Sequence, residues 1–467
     1  MNQSIFLDFH LPNAATWFYF SLILTISLFF QFARPFCLRN LDLLTLFLIV
    51  PGFLLLQEAR TLHPNGSSNN GSSTGGETEK ARSTTRGEIE SLPPEQLLAY
   101  GWLLIGTGYW FVRTLFDLTL VRRPTLSPNL TTAGLACLGL ALFVGQSSVA
   151  VRRTADQPDS GSVGRRPRPI EQVQDRATAV VQQAQIEAGG GYSAEDVRFW
   201  VERTLAMCCH AAVVIGLLMM GLRHFQDRAA GIGMATLYLL IPYTAYNISQ
   251  LHHVWPTAFL VWAIYFYKRP ITAGWLLGLA AGSSLFPILL LPLWIGFYFR
   301  RGAGRFSLAF LSAATVSVGV TSLILWLGGE QGLGLFSALN LEEWLPWKFS
   351  SVESIWKGAH WAYRMPIFVL FVGLLCGITV WPNPKNLSHL IALSAAVLIG
   401  VQFWYADRGG VYVLWYMPLL IMMVFRPNLV LAEAPPLVPG SGIMVRLASA
   451  AWRRVRPGPN PPKQLAV

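Results

Sequence analysis

The chain has 467 residues, 53% of them hydrophobic and 13% charged, with a formal net charge of +11. A soluble domain carries about 25% charged residues, so this composition leaves too little polar side chain to cover a water-facing surface and excludes a soluble globular protein. The basic surplus is divided among the ends of apolar runs, where it fixes orientation in a membrane. A nucleic-acid partner needs it gathered on one face, and none is expected.

The apolar runs are roughly the 17–25 residues of a membrane-crossing helix. They predict spans at 14–33, 41–57, 97–112, 132–150, 204–222, 229–247, 254–267, 306–328, 365–381, 388–405 and 411–425, with a further apolar stretch at 272–299. The fold class is therefore all-α: a polytopic transmembrane helical bundle of about 11–13 membrane segments with two flexible polar insertions, and its first partner is the lipid bilayer. The leading segment "MNQSIFLDFHLPNA" lacks a positive n-region, so insertion is expected to rest on the first span, which stays.

In chain order, an N-terminal transmembrane pair (1–60) precedes a Gly-, Ser- and Asn-rich outer loop (61–95) that cannot bury enough apolar surface to order itself. A second transmembrane pair (96–150) leads to an Arg-rich flexible insertion (151–198), with "SAEDVRFWVERTL" at 193–205 as its helical exit. A C-terminal transmembrane core (199–425) carries an outer interfacial loop at 329–364, and a cytoplasmic tail (426–467) follows.

Lys and Arg clusters mark the cytoplasmic side. Arg34, Arg39, Arg113, Arg122, Arg123, Arg223, Arg228, Lys268, Arg269, Arg300, Arg301, Arg305, Lys385 and Arg426 all fall there when the N-terminus is outside and the C-terminus inside. Arg152 and Arg153 then lie outside, against the rule. The protein is expected in the cytoplasmic membrane. The clusters "YKRP" (267–270) and "RRGAGR" (300–305) are both inside, yet only one apolar run separates them. Either 272–299 is a hairpin that enters and returns, with a polar-lined cavity near Ser283 and Ser284, or it is one kinked span with a misplaced cluster.

Several residues suit chemistry on the outer side. His252 and His253 sit in "SQLHHVWP", read as a short outer turn, with Pro256 in the first turn of the next helix. They are either interfacial polar residues or substrate and acid–base groups. No H-x-x-x-H pattern accompanies them, and neither a metal nor a cofactor is expected. The loop 329–364 reads as an amphipathic interfacial helix, or as a site in which Trp344 and Trp347 stack on a sugar and Glu342 or Glu343 acts as base. Lys348, Lys357 and Arg364 would then hold a phosphate. Asp407 and Arg408 form a local ion pair in a Gly-containing turn, or serve as a catalytic carboxylate and a substrate cation. Asp117 is expected to pair with a nearby arginine on the cytoplasmic side. The five cysteines form neither a metal nor a disulfide pattern.

Residues 237–302, with "WAYRMP", "WPNPKNLSHLIALSAAVLIGVQFWYAD" and "VLWYMPLL", resemble uncharacterised multi-pass membrane proteins of planctomycete-type bacteria. More distantly, "AGWLLGLAAGSSLFPILLLPLW" resembles a segment of the GT-C superfamily of polyprenyl-phosphate-sugar glycosyltransferases. That likeness implies a polyprenyl-phosphate sugar as partner, and transfer at the outer face. Ser283, Ser284 and Leu285 stand where those transferases often carry a lysine, and the acidic pair of their early outer loop has no counterpart after the first span. A non-enzymatic transporter, flippase or assembly factor is the alternative.

Overall fold

The computed structural model describes residues 14–62, 93–119, 126–152, 183, 194–284, 286–327, 347, 355–356, 359–405, 412–429 and 431–435. The described chain is an all-α polytopic helical bundle. Six of its helical segments are long and apolar enough to cross a bilayer: Leu38–Ala59, Thr132–Val151, Phe199–Phe225, Ala303–Val320, Trp361–Val380 and Leu387–Trp404. Most of the two insertions and the tail lie outside the described residues.

The helices are α1 (Ala14–Phe29), α2 (Leu38–Thr45), α3 (Val50–Leu62), α4 (Pro94–Phe116), α5 (Thr132–Arg152), α6 (Ala194–Met220), α7 (Arg228–Leu240) and α8 (Pro242–Tyr246). They continue with α9 (Leu251–Tyr265), α10 (Pro270–Ser283), α11 (Leu291–Phe297), α12 (Ala303–Leu327), α13 (Met365–Val380), α14 (Leu387–Trp404) and α15 (Met417–Phe425). Helix α14 is the centre: only His389 and Phe403 along it are half-buried, and the rest are buried. A helix apolar all round can be satisfied only there. Outer helices send large apolar side chains outward instead, such as Leu308 on α12 and Leu370 on α13, 71% and 73% exposed.

Helix α2 is inside out. Leu38, Leu41 and Leu44 face outward, while Arg39, Asn40 and Asp42 are buried. Their three-residue spacing puts leucines on one side and polar groups on the other. Water would favour the reverse orientation; a hydrocarbon surround favours this one.

Three predicted spans are interrupted. The 41–57 span breaks at Leu46–Ile49, because Pro51 has no N–H to continue the ladder. Carbonyls around the break accept from side chains. Trp110 Nε1 reaches Thr45 O at 3.0 Å, Tyr243 Oη reaches Leu46 O at 3.0 Å, and Trp102 Nε1 reaches Leu48 O at 2.7 Å. The 229–247 span breaks at Ile241, extended ahead of Pro242. There the Thr244 hydroxyl donates to Tyr238 O at 2.6 Å. Among the described residues of the 411–425 span, Met417–Phe425 is the α-helical part, after a tight turn at Val413–Trp415. The predicted exit helix at 193–205 is no separate element, since Ala194–Met220 is continuous.

The stretch 272–299 is a hairpin. Its first arm, α10, is about 21 Å long at 1.5 Å per residue. The chain turns after Ser284 and returns through a tight helical turn (Phe286–Leu290) and α11. Pairing with α12 settles the direction. A Cβ on Gly274 would meet Phe306 and Ala309; on Gly278, Phe310 and Ala313; on Gly282, Ala314 and Ser317. The numbers rise together, so α10 and α12 run parallel, and α11 must run back between them. Tyr298 Oη, after α11, donates to Tyr267 O, before α10, at 2.6 Å. Cysteines replacing Arg269 and Gly304 should therefore react with a membrane-impermeant thiol reagent from the same side. Labelling from opposite sides would contradict the hairpin.

The basic clusters meet at one end of the bundle. Arg301 Nη1 pairs with Glu433 Oε2 at 2.6 Å, and Lys385 Nζ donates to Thr379 O at 2.8 Å. Asp117 does pair with arginine, and with two. Its Oδ1 accepts from Arg113 Nη1 at 3.1 Å and its Oδ2 from Arg426 Nη2 at 2.7 Å. Arg113 also grips Asp42 with two bonds, 2.7 and 2.6 Å. Burial, and then the Arg113 charge, push Arg426 down to about 10, so it stays cationic at neutral pH.

Candidate functional site

The opposite end gathers most of the described residues that the sequence marks for chemistry. The histidines are not in a turn: helix α9 starts at Leu251, so both lie in its first turn and Pro256 lies inside the helix. Gln250 is the N-cap and makes no side-chain capping bond. Pro256 has no N–H to give to the His252 carbonyl four residues earlier. Trp415 Nε1 points at that carbonyl instead, at 3.5 Å.

A column of rings grows from this point. His252 and His253 have centroids 4.2 Å apart, and His253 lies 5.1 Å from Tyr412. Tyr412 stacks on Trp415 at 4.0 Å and 15°, and Trp415 on Phe286 at 3.7 Å and 13°. Three separate segments supply the five rings: the start of α9, the turn before α15 and the returning arm of the hairpin. Gln402 on the central helix fixes the middle of the column. Its amide donates to Tyr412 O at 3.0 Å, and its carbonyl accepts from Tyr412 N at 3.2 Å. Thr257 on α9 donates to Leu414 O at 3.0 Å, tying the same turn to the histidine helix.

The hairpin tip joins the column through α9. Trp255 Nε1 donates to the Ser283 hydroxyl at 2.9 Å, and that hydroxyl donates to Ala280 O at 3.0 Å. Ser283 is buried and Ser284 half-buried. His253 is buried and His252 half-buried, so His252 is the more open end of the ring column.

The structure thus brings together His252, His253 and Ser283, with Ser284 next in the chain. Trp347 is exposed. Glu342, Glu343, Trp344, Asp407 and Arg408 lie outside the described residues, as does the 329–364 loop apart from Trp347, Ile355, Trp356 and residues 359–364. Trp356 Nε1 donates to Phe403 O at 3.2 Å, which brings the end of that loop to the end of α14. Arg364 is buried at the start of α13. Trp361 and Tyr363 are exposed beside it.

Sequence reasoning missed Tyr412, Trp415, Phe286 and Gln402. Aromatic residues in apolar runs read as lipid-facing or core, and no spacing rule links residues 252, 286 and 412. It also passed over His210, fully buried in α6 with Nδ1 2.8 Å from the Tyr238 hydroxyl. A histidine inside a span was the available signal.

Among the described residues no three or more His, Cys, Asp or Glu side chains are grouped as a metal site requires. Comparison with known protein families, curated proteins and solved structures finds no match for this chain.

Removing the Trp415 ring should open the column on both faces. Trp415→Ala is expected to destabilise the protein by about 3–5 kcal/mol, as for other buried Trp truncations. Thermal unfolding in detergent, followed by intrinsic fluorescence, measures it.

Proposed function

We propose that this protein is a membrane-embedded glycosyltransferase of GT-C type, taking a polyprenyl-phosphate-linked sugar at the histidine end of the bundle, on the outer face of the cytoplasmic membrane. The observation that carries this reading is the ring column. Four of its rings, Phe286, Trp415, Tyr412 and His253, are buried against one another, and they hold half-buried His252 at the column's open end, where a sugar head could reach it while an apolar tail stays in lipid.

The reaction forms a bond between an acceptor hydroxyl oxygen and the anomeric carbon. It breaks the bond from that carbon to the phosphate oxygen. Polyprenyl phosphate leaves with the electron pair, and a base takes the acceptor proton. Glu342, Glu343 or Asp407 would serve as that base, with Arg408 steadying the leaving phosphate. His252 and His253 would contact the sugar or relay its proton, with Ser283 and Ser284 at the hairpin tip and Trp344 and Trp347 as stacking surfaces.

One observation favours the transport alternative. Besides the hairpin, helices are interrupted at Leu46–Ile49 and at Ile241–Pro242, and broken helices at membrane depth are a transporter trait.

One set of strains tests both readings: a deletion, and His252→Ala, His253→Ala, Glu342→Ala, Glu343→Ala, Asp407→Ala and Arg408→Ala, with lipid-linked sugars profiled in the host. A transferase predicts that donor accumulates on deletion and that loss of the base lowers turnover by about 100-fold or more. Donor that crosses between leaflets without being consumed would establish transport. Unchanged profiles in the deletion and all six variants would exclude both.

A further inference from the structure

The base of the hairpin gathers exposed positive charge. Lys268 and Arg269 stand at the entry to α10 and Arg300 stands just before α12, all three exposed. Their loops are pinned together, since the Tyr298 hydroxyl donates to Tyr267 O at 2.6 Å. Each cation therefore lies within two residues of that one hydrogen bond. Each also leans on a ring. Lys268 Nζ is 5.7 Å from the Tyr267 centroid, Arg269 Cζ is 5.9 Å from that of Phe266, and Arg300 Cζ is 5.4 Å from that of Phe299. Contact of this kind places a charge without neutralising it.

None of the three makes an ion pair among the described residues. Glu433 reaches this corner, and Arg301 Nη1 takes it at 2.6 Å. The sequence from Arg228 to Gly329 contains neither Asp nor Glu, so α9, the hairpin and α12 bring no carboxylate of their own. Helix starts favour acidic side chains, because their free N–H groups carry partial positive charge. Helices α10 and α12 run parallel and start at this same end, so their dipoles add to the cations instead of offsetting them. Within two turns of the charges the same elements expose apolar side chains: Phe299, Ile271 and Trp275 on the hairpin, and Leu308 and Leu311 on α12.

The geometry points to a docking surface for an anionic phospholipid, with its headgroup against Lys268, Arg269 and Arg300 and its acyl chains along the exposed apolar side chains of α10 and α12. Charge complementarity selects the headgroup: a basic cluster at a helix end attracts anionic lipid, and a zwitterionic headgroup carries its own cation and gains less. The exposed apolar side chains select a lipid over a free anion, which would use the charges alone. Orienting the chain in the membrane needs only that basic residues be present at helix ends. Pinning them from two loops above an apolar flank is what a lipid of this shape requires.

The test uses the full chain, purified in neutral detergent and delipidated, with thermal unfolding followed during titration. The probes are phosphatidylglycerol in mixed micelles, phosphatidylcholine with the same acyl chains, and inorganic phosphate. The unfolding midpoint should rise with phosphatidylglycerol and stay unchanged with the other two. Lys268→Gln, Arg269→Gln and Arg300→Gln should each weaken phosphatidylglycerol by about fivefold, the worth of one basic residue near an anionic surface, and the triple variant by about 100-fold. Arg34→Gln, which removes one charge from the exposed loop between α1 and α2, should leave binding unchanged. If the glutamine variants fail to fold, salt decides on the wild type: added sodium chloride should weaken phosphatidylglycerol steeply, because exposed charges are screened. Binding insensitive to salt overturns the proposal. So does an equal rise with phosphatidylcholine or with inorganic phosphate, or weakening by Arg34→Gln as large as that from the three hairpin variants.

Discussion

Asp42→Ala is expected to destabilise the bundle by about 3–5 kcal/mol, the penalty for leaving one partner of a buried ion pair uncompensated. Arg113 would keep only its 3.1 Å bond to Asp117, which also serves Arg426. The buried network would then hold three cations, Arg39, Arg113 and Arg426, against one anion. The loss should appear as a lower unfolding midpoint in detergent and a smaller monodisperse fraction after purification. Removing both partners should be milder than removing one. Asp42→Leu with Arg113→Met deletes a cation and an anion together and is expected to recover much of the loss, since apolar replacements of buried ion pairs are often neutral. A double variant as unstable as Asp42→Ala would mean that the network acts through shape rather than charge.

Gly278→Leu is expected to have the second large effect. A Cβ at this position would lie 2.3 Å from Phe310 O and 2.9 Å from Ala313 Cβ. The first contact is with backbone, so no rotamer change relieves it. Helices packed through small residues in a membrane depend on this close approach, and a single extra carbon in a filled interface costs about 1–3 kcal/mol. Gly278→Ala should sit in that range and the leucine beyond it, with α10 forced off α12. Gly377→Ala is the control, because nothing lies within 4 Å of a Cβ there. Equal midpoints for Gly278→Ala and Gly377→Ala would contradict the parallel pairing.

The spans were legible because a bilayer sets a length and forbids stray charge, and both constraints act on consecutive residues. Predicted starts at 14, 132, 365 and 388 match helices beginning at Ala14, Thr132, Met365 and Leu387. The hairpin was half legible. Two basic clusters around one apolar run raised it, but only the register of Gly274, Gly278 and Gly282 on α12 decided it. The ion network was mostly hidden. Sequence placed Arg39 and Arg113 at span ends, where arginine is common, and could not tell an arginine facing water from one turned inward. The spacing of Leu38, Leu41 and Leu44 against Arg39 and Asp42 did carry that information, once the outside of the helix is taken to be lipid. The ring column was not legible. Its members come from residues 252–253, 286 and 412–415, and nothing local in those segments announces the others.

The parallel pairing of α10 with α12 bears on how the polypeptide is made. When the ribosome releases α10, the surface that completes its glycine face has not yet been translated. An arm of about 21 Å is shorter than the roughly 30 Å hydrocarbon layer, and at that moment its partner is α9 alone, held through Trp255 and Ser283. That face is therefore completed only after Ala303–Leu327 arrives, which makes this pairing a late step of biogenesis.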